Sequence, residues 1–193
     1  MVPLVPMPRP PRVQASETIY HLFTRGNRSA PIVRNDSDRE TLMEIVGNVV
    51  ERHELICIAY CLMTTHYHLL VQTRNDDLAA AMERLNGLYA RSFNRAHRLR
   101  GHVFERRYWS VIVKGNPHLH AVCRYIALNP VEAGICALPD QWPWSSYPVV
   151  LGLAPAPRFF RPEPLLSYFD HDPDRAREVF KKYTEGDLGT TET

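Results

Sequence analysis

Two short apolar runs separated by only two residues constrain this chain more than any other feature. Residues 55–63 (LICIAYCLM) and 66–73 (HYHLLVQT) are rich in β-formers, and Thr64-Thr65 is all that joins them. A connection that short fits antiparallel neighbours, because a parallel pair needs a crossover of a dozen residues or more. On the second strand His66 and His68 stand two positions apart and therefore on one face. Their α-carbons are about 7 Å apart, near enough for two imidazoles to share one divalent cation. An H-x-H pair is also what an ordinary solvent-facing strand can carry, so its meaning depends on what surrounds it.

The surroundings complete a recognisable order. Residues 18–25 (TIYHLFTR) read as a first strand ended by the turn signal Gly26-Asn27. Ser37-Asp38-Arg39-Glu40 has capping-box spacing and opens a helix reaching about Arg52, with Leu42, Ile45, Val46, Val49 and Val50 at helical spacing. A longer helix is expected over about 78–98, with Ala81, Leu85, Leu88, Tyr89 and Phe93 on one side, and a fourth strand over 108–113 (YWSVIV). The order is β-α-β-β-α-β, which predicts an α+β, ferredoxin-like antiparallel sheet with two helices on one face. A further helix follows from Pro117 to about Leu128, stopped by Asn129-Pro130. It is surplus to the βαββαβ unit and well placed to cover the open face of the sheet. Residues 1–15 are Pro-rich and read as a flexible arm, 16–150 as the main domain, and 151–193 as an extension with a short final helix and a flexible tail.

Composition narrows the class. No apolar run approaches the roughly 18 residues of a membrane span, and the proline-broken N-terminus lacks the apolar segment of a secretory signal. Cys57, Cys61, Cys123 and Cys136 form no C-x-x-C pair, which suits reduced thiols and a cytoplasmic protein. The formal net charge of +2 is too small to argue for a polyanionic partner, but its distribution is uneven. Arg91, Arg95, Arg98, Arg100, Arg106 and Arg107 share one segment with a single acid, Glu105. Such clustering is the footprint of a phosphate-binding face, although a solvated helix face carries the same pattern.

On the surplus helix Tyr125 and Asn129 are four residues apart and share a face. If that face meets the strand bearing His66 and His68, two imidazoles, an amide oxygen and a phenol converge. The first three make an incomplete shell for Mg²⁺ or Mn²⁺, with positions left for phosphate oxygens, and the phenol is a candidate nucleophile.

The segments GNRSAPIV, YCLMTTHYHLLVQT, GHVFERRYW, CRYIALNPVEAGI and WPWSSY occur in an order that resembles the REP-associated tyrosine transposases, which are HUH single-tyrosine transposases of bacterial insertion sequences. The resemblance covers about 18–147. It implies a ferredoxin-like core, a divalent cation, and cleavage and transfer of single-stranded, hairpin-containing DNA through a 5′-phosphotyrosine, by a monomer or a homodimer. Position by position, His66 and His68 match the metal histidines, Tyr125 the nucleophile, and Asn129 the helix-borne third ligand. The chain departs from the family at Thr64-Thr65, where Pro-Asn is common, and at Tyr67, where an aliphatic residue is usual.

The DNA itself would be met by other residues. Arg25, Asn27 and Arg28 follow the first strand, Arg91, Arg95 and Arg98 track the second helix, and Arg106, Arg107 and Arg124 lie near the expected site. Arg124 or Arg107, with the cation, would favour the Tyr125 phenolate. Trp109, Trp142 and Trp144 are candidates for stacking unpaired bases, against an ordinary role in packing. Two other functions fit the same pattern: a non-catalytic nucleic-acid-binding module on a ferredoxin-like sheet, and a metal-dependent nuclease that uses water.

Overall fold

The computed structural model describes residues 17–186. The Pro-rich arm and the last seven residues lie outside them. Four strands, β1 (Ile19–Arg25), β2 (Ile56–Leu62), β3 (His66–Gln72) and β4 (Trp109–Ile112), form one sheet in the order β2-β3-β1-β4. Every pairing is antiparallel. This is the expected ferredoxin-like arrangement, and it sets β1 and β3 side by side at the centre, with Phe23 opposite His68 and Arg25 opposite His66. The two-residue link holds because its carbonyls are used: Gly26 N–H donates to Thr65 O at 2.8 Å and Ile32 N–H to Thr64 O at 2.9 Å. Gly26 is needed for that approach, since a β-carbon there would lie 2.0 Å from Ala30 O.

Helices α1 (Asp36–Arg52) and α2 (Leu78–Ala96) pack on each other over the sheet face that carries Tyr67. Tyr67 is fully buried there, and its hydroxyl donates to Asn86 Oδ1 of α2 at 2.6 Å. The aliphatic position expected between the histidines is thus occupied by a phenol with a dedicated acceptor. Helix α1 starts earlier than the capping box predicts. Asn35 is the cap, its side chain accepting from Asp38 N–H, and the Asp38 carboxylate in turn accepts from Arg34 N–H and meets His97 Nε2 at 2.8 Å.

Helix α3 (Gly115–Glu132) lies over β2 and β3 on the other face. It does not stop at Asn129-Pro130. Pro130 sits inside the last turn, where its missing N–H costs a single helical bond, the one to the Ile126 carbonyl four residues before it. The end is instead a Schellman motif around Gly134: φ is +67°, Gly134 N–H donates to Val131 O at 2.9 Å, and Ile135 N–H to Pro130 O at 2.9 Å. Asn129 is consequently helical and keeps its place one turn from Tyr125. After α4 (Ser146–Val150), the chain continues through α5 (Glu163–Leu166) and α6 (Pro173–Glu185), which return Phe160, Leu165, Leu166 and Phe180 to the same core. Among the described residues no helix is long and apolar enough to cross a membrane.

Candidate active site

The open face of β1 and β3, roofed on one side by α3, holds a cavity of about 640 Å³ lined by His21, Phe23, Arg25, His66, His68, Glu105, Trp109, Tyr125, Asn129 and Glu132, with Ala133 at its rim. Strand alternation sends His66 and His68 into it while Tyr67 faces α2. The 3.6-residue repeat of α3 does the same for Tyr125, Asn129 and Glu132. The four residues expected to converge therefore do so. His66 Nε2 lies 2.9 Å from Asn129 Oδ1, and the His66 and His68 rings are 5.0 Å apart. The Tyr125 ring meets His68 edge-on at 5.3 Å. Tyr20, Tyr60, Tyr67, Tyr89, Tyr108 and Tyr147 are buried, whereas Tyr125 is 43 % exposed, as is Tyr183 of the last helix at 42 %; of these two exposed phenols Tyr125 is the one that lines the cavity.

One member of the cluster is not apparent from the sequence. His21 of β1 is buried, its Nε2 lies 3.0 Å from His68 Nδ1, and its ring meets the edge of Tyr125 at 5.9 Å. Burial holds all three imidazoles neutral: His21 is lowered to about 4, His66 is lowered, and His68 lies well below the ordinary histidine value. Neutral imidazole is the form that binds metals.

The donor set fits a cation of modest demands. Both Nδ1 atoms are engaged, that of His66 by Thr65 Oγ1 at 3.1 Å and that of His68 by His21. His66 Nε2 meets Asn129 Oδ1, and His68 Nε2 is a buried polar atom with no partner among the described residues. Adjacent donors on an octahedral ion, at roughly 2.1 Å each, stand about 3.0 Å apart, close to the His66–Asn129 separation. Among the described residues no group of three His, Cys, Asp or Glu side chains is set to hold a metal. An ion here would have two imidazoles and an amide oxygen, with the other positions open.

The remaining candidates divide. Arg25 lines the cavity, and its charge reaches His66. Asn27 and Arg28 are exposed just beyond β1, Arg28 with a φ of +54°. Arg91, Arg95 and Arg98 are exposed along and after α2, and Arg106 and Arg107 line a groove beside Gly87 and Ala90 of that helix. Arg124 turns away from the phenol: its Nε donates to Tyr183 O at 3.1 Å, against α6. Arg107 likewise faces the α2 groove, so the arginine that shares the cavity with Tyr125 is Arg25. Of the tryptophans, Trp142 and Trp144 are packing residues, both under the Arg39 guanidinium, with Trp142 Nε1 donating to Leu62 O. Trp109 lines the cavity, parallel to Phe23 at 4.9 Å and covered by Arg106 at 4.8 Å.

Comparison with known proteins places this arrangement. The chain is 24 % identical over 144 residues, 65 % of its length and 82 % of the relative's, to a protein of Haemophilus influenzae described as a REP-associated tyrosine transposase. In fold it is similar to the solved structure of a REP-associated tyrosine transposase bound to a REP hairpin, with a TM-score of 0.63 and 18 % identity over 80 % of this chain and 94 % of that one. The family model described as "Transposase IS200 like" matches residues 14–129, well over half of the sequence and the whole sheet with Tyr125 and Asn129. The chain belongs to the IS200-like transposases.

Proposed function

We propose that this transposase cleaves and rejoins single-stranded DNA beside a hairpin, with Tyr125 as nucleophile and His66, His68 and Asn129 holding Mg²⁺ or Mn²⁺. The observation that carries the proposal is the meeting of an exposed phenol with two neutral imidazoles and an amide oxygen in one cavity. The ion, when bound, supplies Lewis-acid polarisation and positioning of the scissile phosphate. The chain's own residues supply the rest. Tyr125 Oη attacks phosphorus, the P–O3′ bond breaks, and the 3′ oxygen leaves as a hydroxyl, giving a 5′-phosphotyrosine. The phenol proton passes to solvent, to which Tyr125 is open, and the leaving 3′ oxygen takes one up from solvent. Arg25 offsets charge at the phosphate from within the cavity. The ester conserves the energy of the broken bond, so rejoining by a 3′-hydroxyl needs no nucleotide cofactor.

In this reading the hairpin stem lies against α2 and the groove beside it, where Arg91, Arg95, Arg98, Arg106 and Arg107 meet phosphates. Arg28 and Asn27, exposed just beyond β1, would meet the strand leaving the stem. Trp109, on the open half of the sheet, offers a surface for one unpaired base. The Phe23–Trp109 pair would also suit a module that only binds nucleic acid, but binding alone has no use for the histidine–asparagine–tyrosine convergence. The test is a denaturing gel of labelled hairpin oligonucleotides incubated with Mn²⁺, Mg²⁺ or EDTA. Metal-dependent cleavage that Tyr125→Phe abolishes while binding persists is the expected outcome. Cleavage that survives Tyr125→Phe would overturn the tyrosine mechanism in favour of water.

A further inference from the structure

We propose that His21 is a positioning residue for the metal site: it accepts a hydrogen bond from His68 Nδ1–H and so holds His68 in the tautomer that leaves Nε2 bare. The inference rests on the metal reading above and goes beyond it by assigning a role to a residue outside the His66–His68–Asn129 set.

The argument starts from protons. A neutral imidazole carries one N–H, and only its other nitrogen can bind a cation. His66 reaches a protein partner at each nitrogen, Thr65 Oγ1 at Nδ1 and Asn129 Oδ1 at Nε2. A hydroxyl both donates and accepts, so Thr65 suits either tautomer of His66. His68 has no such latitude. It is 3 % exposed, and among the described residues its Nε2 has no partner and its ring's one hydrogen-bond contact is His21 Nε2, 3.0 Å from Nδ1. With the proton on Nε2, a buried N–H would go unsatisfied, which is the costlier arrangement. With the proton on Nδ1, the N–H donates to His21 and the unpartnered Nε2 is a lone pair available for an ion.

The fold fixes this contact. His21 and His68 are on adjacent central strands, near neighbours in the β1–β3 register on the same face of the sheet. The two rings stack at 5.2 Å with a 30° interplanar angle. Phe23 packs beside both, its ring 5.7 Å from that of His21 and 5.8 Å from that of His68. A carboxylate or backbone oxygen commonly orients a ligating histidine through its second nitrogen. Here another imidazole takes that place, and the same ring meets that of Tyr125 in a T-shaped contact at 5.9 Å. His21 thus links the ligand pair to the nucleophile without needing to touch either cation or DNA.

Two measurements test the assignment. In metal-free wild-type protein, a long-range proton–nitrogen spectrum of ¹⁵N-histidine-labelled material should show the His68 proton on Nδ1; a proton on Nε2 overturns the proposal. Calorimetric titration with Mn²⁺ alone should then show affinity falling about tenfold or more in His21→Phe, which keeps a stacking ring and removes the acceptor. His21→Gln, whose side-chain oxygen reaches about as far as Nε2, should restore affinity to within a few fold of wild type. Folding of each variant is checked by its unfolding transition. Equal Mn²⁺ affinity in folded His21→Phe and wild type overturns the positioning role while leaving the metal reading intact. Wild-type protein that binds no Mn²⁺ overturns the metal reading itself, and that result is seen before any variant is compared.

Discussion

Acid should destabilise the metal-free protein through its buried histidines, and His21 allows the size of the effect to be worked out. Burial lowers His21 from 6.5 to about 4, with the neighbouring His118 contributing in the same direction. The sign follows from proton counting. Below pH 6.5 the unfolded chain takes up a proton at this residue that the folded chain refuses until about pH 4. Stability is therefore full above pH 6.5, falls as the pH drops through the window from 6.5 to about 4, and loses nothing more from this group below it. At 1.36 kcal/mol per unit, the whole window is worth roughly 3 kcal/mol, and the part reached at pH 4.5 about 2.5 kcal/mol. The ring is 8 % exposed, so solvent screening removes little of this. His66 and His68 are shifted in the same direction and add to the slope. Urea unfolding in EDTA at pH 7.5 and pH 4.5, on wild type and His21→Phe, measures the term directly. The carboxylates contribute the same background to both proteins, so the variant should lose about 2.5 kcal/mol less on acidification. An equal loss in the two proteins would refute the reasoning.

Other expectations follow from single contacts. Tyr67→Phe leaves Asn86 Oδ1 without its buried donor and should cost about 1–3 kcal/mol in urea unfolding, well above a surface substitution. Gly134→Ala meets no atom within 4 Å, so its cost is that of a β-carbon at a φ of +67°, about 1–2 kcal/mol by the same assay. Replacing Arg91 and Arg95 together with alanine should weaken hairpin binding uniformly across stem sequences and reduce the slope of log K against log salt by roughly one per lost phosphate contact. Trp109→Ala should weaken binding of a hairpin with single-stranded flanks by about 1–3 kcal/mol and leave a flush-ended hairpin unaffected, as read by fluorescence anisotropy.

The parts of this fold that follow local rules are visible in the sequence, and the parts that depend on tertiary neighbours are not. The two-residue link between β2 and β3 dictates antiparallel pairing, and with the alternation of elements it leads to the observed sheet order. The same periodicities put His66 and His68 on one face and Tyr125 and Asn129 on another. Helix ends are less visible because several residues compete for each role. Asn35 precedes Ser37 as a cap, and Gly134 with its positive φ, not Pro130, ends α3. His21 looks like any polar residue in a strand until β1 is known to lie beside β3. The signal that could have found it is its parity with Phe23 in a strand whose central position the βαββαβ order already implies. Arginine orientation was the least accessible feature. Arg124 is adjacent to Tyr125 in sequence, yet a helix sends consecutive side chains about 100° apart, so Arg124 bonds α6 while Arg25, remote in sequence, enters the cavity.

The central claim is that Tyr125 becomes covalently joined to DNA, and mass spectrometry of the digested reaction tests it most directly. Protein incubated with a single-strand-flanked hairpin and Mn²⁺ would be treated with nuclease and trypsin, and the peptide containing Tyr125 examined for a nucleotide remnant. The account predicts a 5′-phosphonucleotide on Tyr125, absent in EDTA and absent from Tyr125→Phe and His66→Ala. A remnant on any other residue, or cleaved DNA with unmodified Tyr125 throughout the time course, would contradict it.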